Sequence, residues 1–331
     1  MVAIRLLVPG NVRHGSGGNH YNAKLAEHLD AEVETIAVDG GWPVGSSADR
    51  RRFSDMLDGG TTVIADGLVA SGAPEEVAAA VSAGTEVWIV SHMALAEHRD
   101  LEARALAAAS GVICPSKHAA AELEARHGPL NIVVARPGVD PAPAAGGSEP
   151  PHIVAVAALL PNKEQTLLVE ALSTLKDLPW TAALIGSDRA APAYAAQVRA
   201  AVEHQGLRNR ISITGELTGE ALERSWQAAN LSVLISGSEA FGLVVTESLA
   251  RGVPVLVRQG TGAVEALGDT KAGAALDLTD TSKLAQTIRT WLTDPALQRT
   301  WREAALNARN TLPGWDTTAR TVMKALHGPP R

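Results

Sequence analysis

Two glutamates separated by seven residues lie in Ser238-Glu239-Ala240-Phe241-Gly242-Leu243-Val244-Val245-Thr246-Glu247-Ser248-Leu249-Ala250-Arg251-Gly252-Val253-Pro254-Val255, a segment that follows an apolar run and precedes another. Its order reads as strand, glycine loop, helix, strand. A helix starting near Leu243 puts Glu247 about one turn in, and side chains tilt back toward the helix N-terminus, so this carboxylate is aimed at the loop. Both oxygens of a carboxylate accept hydrogen bonds, which suits the paired hydroxyls of a ribose. The free amides of Phe241, Gly242 and Leu243 suit sugar hydroxyls or phosphate, and Gly242 lets a ligand approach the backbone.

A second candidate is Val154-Ala155-Val156-Ala157-Ala158-Leu159-Leu160-Pro161-Asn162-Lys163-Glu164-Gln165, a strand running into a helix. Asn162 with Gln165 three residues on predicts a helix cap, which leaves Lys163 in the first turn. There the cation opposes the helix dipole, and an anionic ligand beside it relieves the conflict. Pro9 to His20 forms a glycine loop after the first strand, able to cradle phosphate or crowd a sugar. His20 stands where a dinucleotide fingerprint needs its third glycine. His92 follows the apolar strand Glu86–Val90, at its carboxyl end. No serine or cysteine nucleophile motif accompanies it.

These residues need scaffolds. At 331 residues and 46% apolar content the chain exceeds one ordinary core, and two domains are expected. Short apolar runs alternate with alanine-rich amphipathic stretches in both halves, the pattern of an α/β protein with parallel sheets. Strands are predicted at 4–8, 33–38, 62–65, 86–90, 111–114 and 132–135, then at 153–157, 181–185, 211–214, 231–235 and 254–257. The proline- and glycine-rich stretch Pro137 to Pro151 reads as the linker. The expected domains are 1–147, with a returning C-terminal helix at 315–331, and 148–314. Ligands of open parallel sheets sit outside the carboxyl ends of the strands, so two such sheets are expected to face each other across one cleft.

The net charge of −7 gives no general attraction for nucleic acid or an anionic bilayer. No run reaches the ~18 apolar residues of a membrane span, the N-terminal residues lack signal-peptide order, and cytoplasmic residence is expected. The lone cysteine, Cys114, falls in an apolar run and reads as core. The ten histidines lack zinc-site spacing, no Asp-x-Asp occurs, and no metal or resident cofactor is expected.

The glutamate block closely resembles the nucleotide-sugar signature of family 4 retaining glycosyltransferases, and the similarity runs from Gly17-Gly18 to the Trp315 helix. It implies two Rossmann-like domains of the GT-B kind and metal-independent transfer of a sugar from a nucleoside diphosphate to an acceptor hydroxyl, with retention. It further implies that Glu247 binds the donor ribose and that Glu239, with the following amides of Phe241, Gly242 and Leu243, faces the donor sugar. The resemblance also implies that Lys163 holds the diphosphate, that His92 faces the sugar, and that Gly17 and Gly18 form a turn beside donor and acceptor. The catalytic candidates are thus His92, Glu239 and Lys163. Leu217, in Thr214-Gly215-Glu216-Leu217, resembles a strand-end segment flanking the base, and Arg136 to Asp140 resembles a turn near the cleft. The family places an arginine a few residues before the lysine; Ala158 stands there. A non-catalytic nucleotide-sugar binder and a nicotinamide oxidoreductase are the alternative readings of the residues.

Overall fold

A computed structural model of the protein describes residues 3–12, 15–58, 62–95 and 97–328. Arg13 and His14 of the Pro9 to His20 loop lie outside the described residues. The chain divides into two compact units: Met1–Gly138 with Pro313–Arg331, and Val139–Leu312.

The first unit holds β1 (Ala3–Pro9), β2 (Glu32–Val38), β3 (Thr62–Asp66), β4 (Val87–Val90), β5 (Gly111–Cys114) and β6 (Ile132–Val134). They form one parallel sheet in the order β2-β1-β3-β4-β5-β6. Strands β4 and β5 are buried throughout because helices cover both faces, which is why they read as unbroken apolar runs. Cys114 is fully buried, and burial together with the nearby Glu124 charge pushes its thiol up to about 12, so it stays protonated and unreactive.

In the second unit, β7 (His152–Val156), β8 (Thr181–Ile185), β9 (Ile211–Gly215), β10 (Leu231–Leu234), β11 (Val255–Arg258) and β12 (Gly273–Leu276) are ordered β12-β11-β10-β7-β8-β9, again with parallel neighbours. The last strand escaped the sequence reading. Its sequence Gly-Ala-Ala-Leu carries no β-branched or aromatic residue. What places it is backbone fit: a Cβ on Gly273 would come within 1.9 Å of the Val255 carbonyl, so only glycine lets this edge pair with β11.

The Pro137 to Pro151 stretch is not a free linker. The crossing into the second unit comes at Val139, not after residue 147. Residues 139–147 strap onto the second unit because their backbone groups find partners there: Ala145 N–H donates to Arg251 O (2.9 Å), and the Gly146 and Gly147 N–H groups to Gln227 O (3.0 Å each).

The chain closes the first unit with the helix Trp315–Leu326. Trp315 is 2% exposed and meets His20 and Tyr21 edge-to-face at 5.6 and 5.8 Å, while Thr318 Oγ1 donates to Arg136 O (2.6 Å). A Cβ on Gly138 would lie 2.2 Å from the Trp315 nitrogen, so the stretch Arg136 to Gly138 serves as the seat of this helix. Trp315→Ala removes the anchor, and we expect a loss of about 3–5 kcal/mol from the first unit, read as a lower denaturant midpoint of its transition.

Candidate functional site

In the second sheet the strand order reverses between β7 and β10: β8 and β9 continue from β7 on one side, β11 and β12 from β10 on the other. The carboxyl ends of the two strands flanking such a reversal leave a crevice where ligands bind. The sequence-marked residues Lys163 and Glu239 follow those two strands.

Lys163 Nζ forms a hydrogen-bonded ion pair with Glu239 Oε1, and the same oxygen accepts from Ser236 Oγ at 2.8 Å. Both side chains are largely covered, Lys163 to 20% and Glu239 to 14% exposure. Main-chain bonds set this geometry. Gly237 N–H donates to Asn162 O (2.7 Å), tying the loop after β10 to the loop after β7; Gly262 N–H donates to Glu239 O (2.7 Å), tying it to the turn after β11.

The local structure around Lys163 differs from the expected cap. Pro161–Lys163 is a single 3-10 turn, and the α-helix Gln165–Ser173 begins after Glu164. Asn162 makes no side-chain cap. Gln165 is turned inward, its Nε2 donating to Ala158 O at 3.0 Å, so Lys163 projects from the turn before the helix and not from its first turn. Its charge is met by Glu239 instead of opposing a dipole.

Gly242 caps the helix Leu243–Ala250 with φ +87, a left-handed conformation that glycine adopts readily. A Cβ there would press on Leu234, Ala263 and Val245 at 3.1–3.3 Å, so its smallness accommodates core packing. The Phe241 side chain is likewise core, 6% exposed among Leu234, Val245 and Leu249. Leu243 opens the helix, and Glu247 lies one turn in and is half-buried. Leu217, after the edge strand β9, packs on the cluster containing Trp226.

In the first unit the order reverses between β1 and β3, and the residues after β1, β3 and β4 converge. Gly17 and Gly18 are the first two residues of the helix Gly17–His28, not a turn, with Ser16 as its cap. A Cβ on Gly18 would come 2.9 Å from the His92 ring, so this glycine makes room for the imidazole. His92 Nε2 lies 3.0 Å from Asn22 Oδ1 and 3.3 Å from Asp66 Oδ2, and Asn22 Nδ2 donates to Asp66 Oδ2 at 2.7 Å. Both neighbours of Nε2 are acceptors, which assigns the proton to Nε2 and leaves Nδ1 for other partners. One ring nitrogen is therefore spent inside the unit.

The sequence reading missed Asp66 and Asn22 in this network. A charged residue ending the run Thr-Val-Ile-Ala-Asp was the available signal for Asp66. Burial alone would raise its carboxyl, yet His92, the Leu68 amide and Asn22 together hold it below the ordinary value near 3.8. Because the folded value is the lower one, its stabilisation is complete above the ordinary value and is lost as pH falls toward the folded one. Asp66→Asn should cost about 1–3 kcal/mol at neutral pH and flatten the acid limb of first-unit stability measured from pH 5 downward. An acid limb identical to wild type would contradict this role.

Among the described residues, no group of three or more His, Cys, Asp or Glu is placed to hold a metal ion, and no helix is long and apolar enough to cross a membrane.

Comparison with solved structures gives a TM-score of 0.82 to sucrose-phosphate synthase from Thermosynechococcus elongatus, at 19% identity over 98% of both chains. The Anabaena protein Alr3699/HepE, solved in complex with UDP and glucose, gives 0.81 at 18% identity over 99% of this chain and all of that one. At such identities the likeness shows the fold, two α/β units of the GT-B class. Among curated proteins, a D-inositol 3-phosphate glycosyltransferase of Mycobacterium sp. (strain KMS) is 33% identical over 186 residues, covering 52% of this chain and 42% of that protein. Its counterpart in Salinispora arenicola is 27% identical over 253 residues, covering 67% and 56%. The chain spans about half the length of the curated relatives it matches. The family described as "Glycosyl transferases group 1" matches residues 142–308, just over half of the chain and nearly all of the second unit. The protein belongs to that family.

Proposed function

We propose that the protein is a retaining, metal-independent glycosyltransferase of family 4 that moves a sugar from a nucleoside diphosphate to an acceptor hydroxyl. The observation that carries this reading is the Lys163–Glu239 pair at the strand reversal of the second unit, inside the family-matched residues. HepE is a protein of the same fold in complex with UDP and glucose, which makes a uridine nucleotide the first donor to try.

In this reading Lys163 meets the charge that builds on the departing diphosphate, a stabilisation stronger in the transition state than in the ground state. The bond from the anomeric carbon to the diphosphate oxygen breaks, the acceptor oxygen bonds to that carbon, and the acceptor proton passes to the leaving phosphate. Glu247, one turn into its helix, takes the ribose hydroxyls, and Glu239 faces the sugar. In the first unit, His92 offers Nδ1 to a sugar hydroxyl while Asn22 and Asp66 fix its ring. No resident cofactor takes part; the nucleotide sugar is a co-substrate.

A charge-assisted hydrogen bond contributes roughly 1.5–3 kcal/mol, so Lys163→Ala should weaken nucleoside diphosphate binding about tenfold to a hundredfold while nucleoside binding changes little. Calorimetry with both ligands on wild type and variant makes the comparison, and equal losses for the two would dismiss a phosphate role. Transfer from a panel of nucleotide sugars to hydroxyl acceptors tests the activity itself. Turnover should persist with a chelator present; loss on chelation that magnesium or manganese restores would sink the metal-independent mechanism.

A further inference from the structure

The loop after β10 receives a second cation that the sequence reading did not mark. Arg258, the last residue of β11, donates from Nε to Ile235 O at 2.9 Å and pairs through Nη2 with Glu164 Oε2. Its side chain is 18% exposed. Glu164 is the chain neighbour of Lys163, and its carboxylate lies against Gly237, where a Cβ would come 2.8 Å from Oε1. Ile235 in turn precedes Ser236, whose hydroxyl shares Glu239 Oε1 with Lys163. One guanidinium and one ammonium thus end on one short loop, Ile235 to Glu239, at the carboxyl ends of three adjacent strands.

Glu164 itself argues that this pair is more than a surface bridge. Its φ of +52 is left-handed, and its side chain caps no helix. A side chain in that conformation costs about 1–2 kcal/mol that glycine avoids. The carboxylate is what the position uses, and it is spent on Arg258. The site therefore holds two cations and two carboxylates, Lys163 with Glu239 and Arg258 with Glu164, with no net charge among the four. A diphosphate brings its own anionic oxygens, and a guanidinium fork matches them in two hydrogen bonds where an ammonium offers a point charge.

We propose that Arg258 is a diphosphate-binding residue of the donor site, with Glu164 holding its guanidinium until phosphate oxygens replace that carboxylate. The proposal rests on the nucleotide-sugar reading of the second unit. With Lys163 it gives the two phosphates two separate cations, one from the turn after β7 and one from the end of β11.

A purely structural brace between Arg258 and Glu164 makes a different forecast, and three variants separate the two. Calorimetry with UDP, GDP, ADP and the matching nucleosides is run on wild type, Arg258→Ala, Arg258→Lys and Glu164→Gln. Arg258→Ala should weaken the bound diphosphate about tenfold to a hundredfold and the nucleoside less than about threefold. Arg258→Lys should fall between wild type and alanine. Glu164→Gln should bind the diphosphate as tightly as wild type or a few-fold tighter, since it removes the competitor for the guanidinium. A brace predicts instead that Arg258→Ala and Glu164→Gln weaken both ligands alike, and that result overturns the proposal. Diphosphate affinity equal to wild type in Arg258→Lys would also overturn it, and this variant, which keeps the charge, decides the matter if the alanine variant fails to fold. A wild-type chain that binds none of the nucleoside diphosphates overturns the functional reading as well; binding by wild type with unchanged affinity in the Arg258 variants overturns this proposal alone.

Discussion

Lys163 and Glu239 come from turns 76 residues apart, and both have been largely removed from water. Taking either charge out of solvent alone costs several kcal/mol, and the attraction between them repays this only if the geometry is tight. The rest of the second unit can be understood as a means of holding two turns in that geometry. Gly237 and Gly262 do it through their amides, which bond to Asn162 O and Glu239 O. Neither turn has to rely on a side-chain contact for its placement, so the carboxylate and ammonium remain available for exchange with a ligand.

Such close main-chain contact restricts residue size at several points. A Cβ on Gly262 would overlap the Ala240 carbonyl at 2.0 Å, and one on Gly186 would overlap the Ala157 carbonyl at 2.1 Å. Gly186 also has φ +153, near the extended limit, and its value lies in the space it leaves for the loop after β7. The same economy appears in the first unit, where Gly18 yields its volume to the His92 ring. In each case glycine serves a backbone or side chain that approaches it from a neighbouring strand end.

Elements with a strong apolar period were legible in the sequence: eleven of the strands were anticipated within a residue or two, most of them because buried parallel strands leave continuous Val, Ile and Leu runs. The twelfth, Gly273–Leu276, has no such run and is defined by pairing with β11 alone. Chemistry-bearing residues were visible when they sat in a recognisable block, as with Glu239 and Lys163. Asp66, Asn22, Glu164 and Arg258 act through partners 23 to 94 positions away, a separation that no local pattern encodes. Around Gly242 and Phe241 the sequence shows the loop but not the packing: a glycine and an aromatic beside a loop look the same whether their bulk faces a ligand or the core.

The same arrangement bears on Ala158, which stands where the family places an arginine. Its main chain is committed to packing, since Gln165 Nε2 donates to its carbonyl and a Cβ on Gly186 would come 2.7 Å from its nitrogen, while its side chain brings no charge. Positive charge on the β7 side therefore comes from Lys163 alone among the residues of that turn, 158–165. The strand reversal puts β10 and then β11 beside β7, so the next place from which a cation can reach the Ile235 to Glu239 loop is the end of β11. Arg258 occupies that place. Charge at a strand-end site is set by which ends the sheet brings together, and a cation can change strands without leaving the site because the loop it serves lies between them.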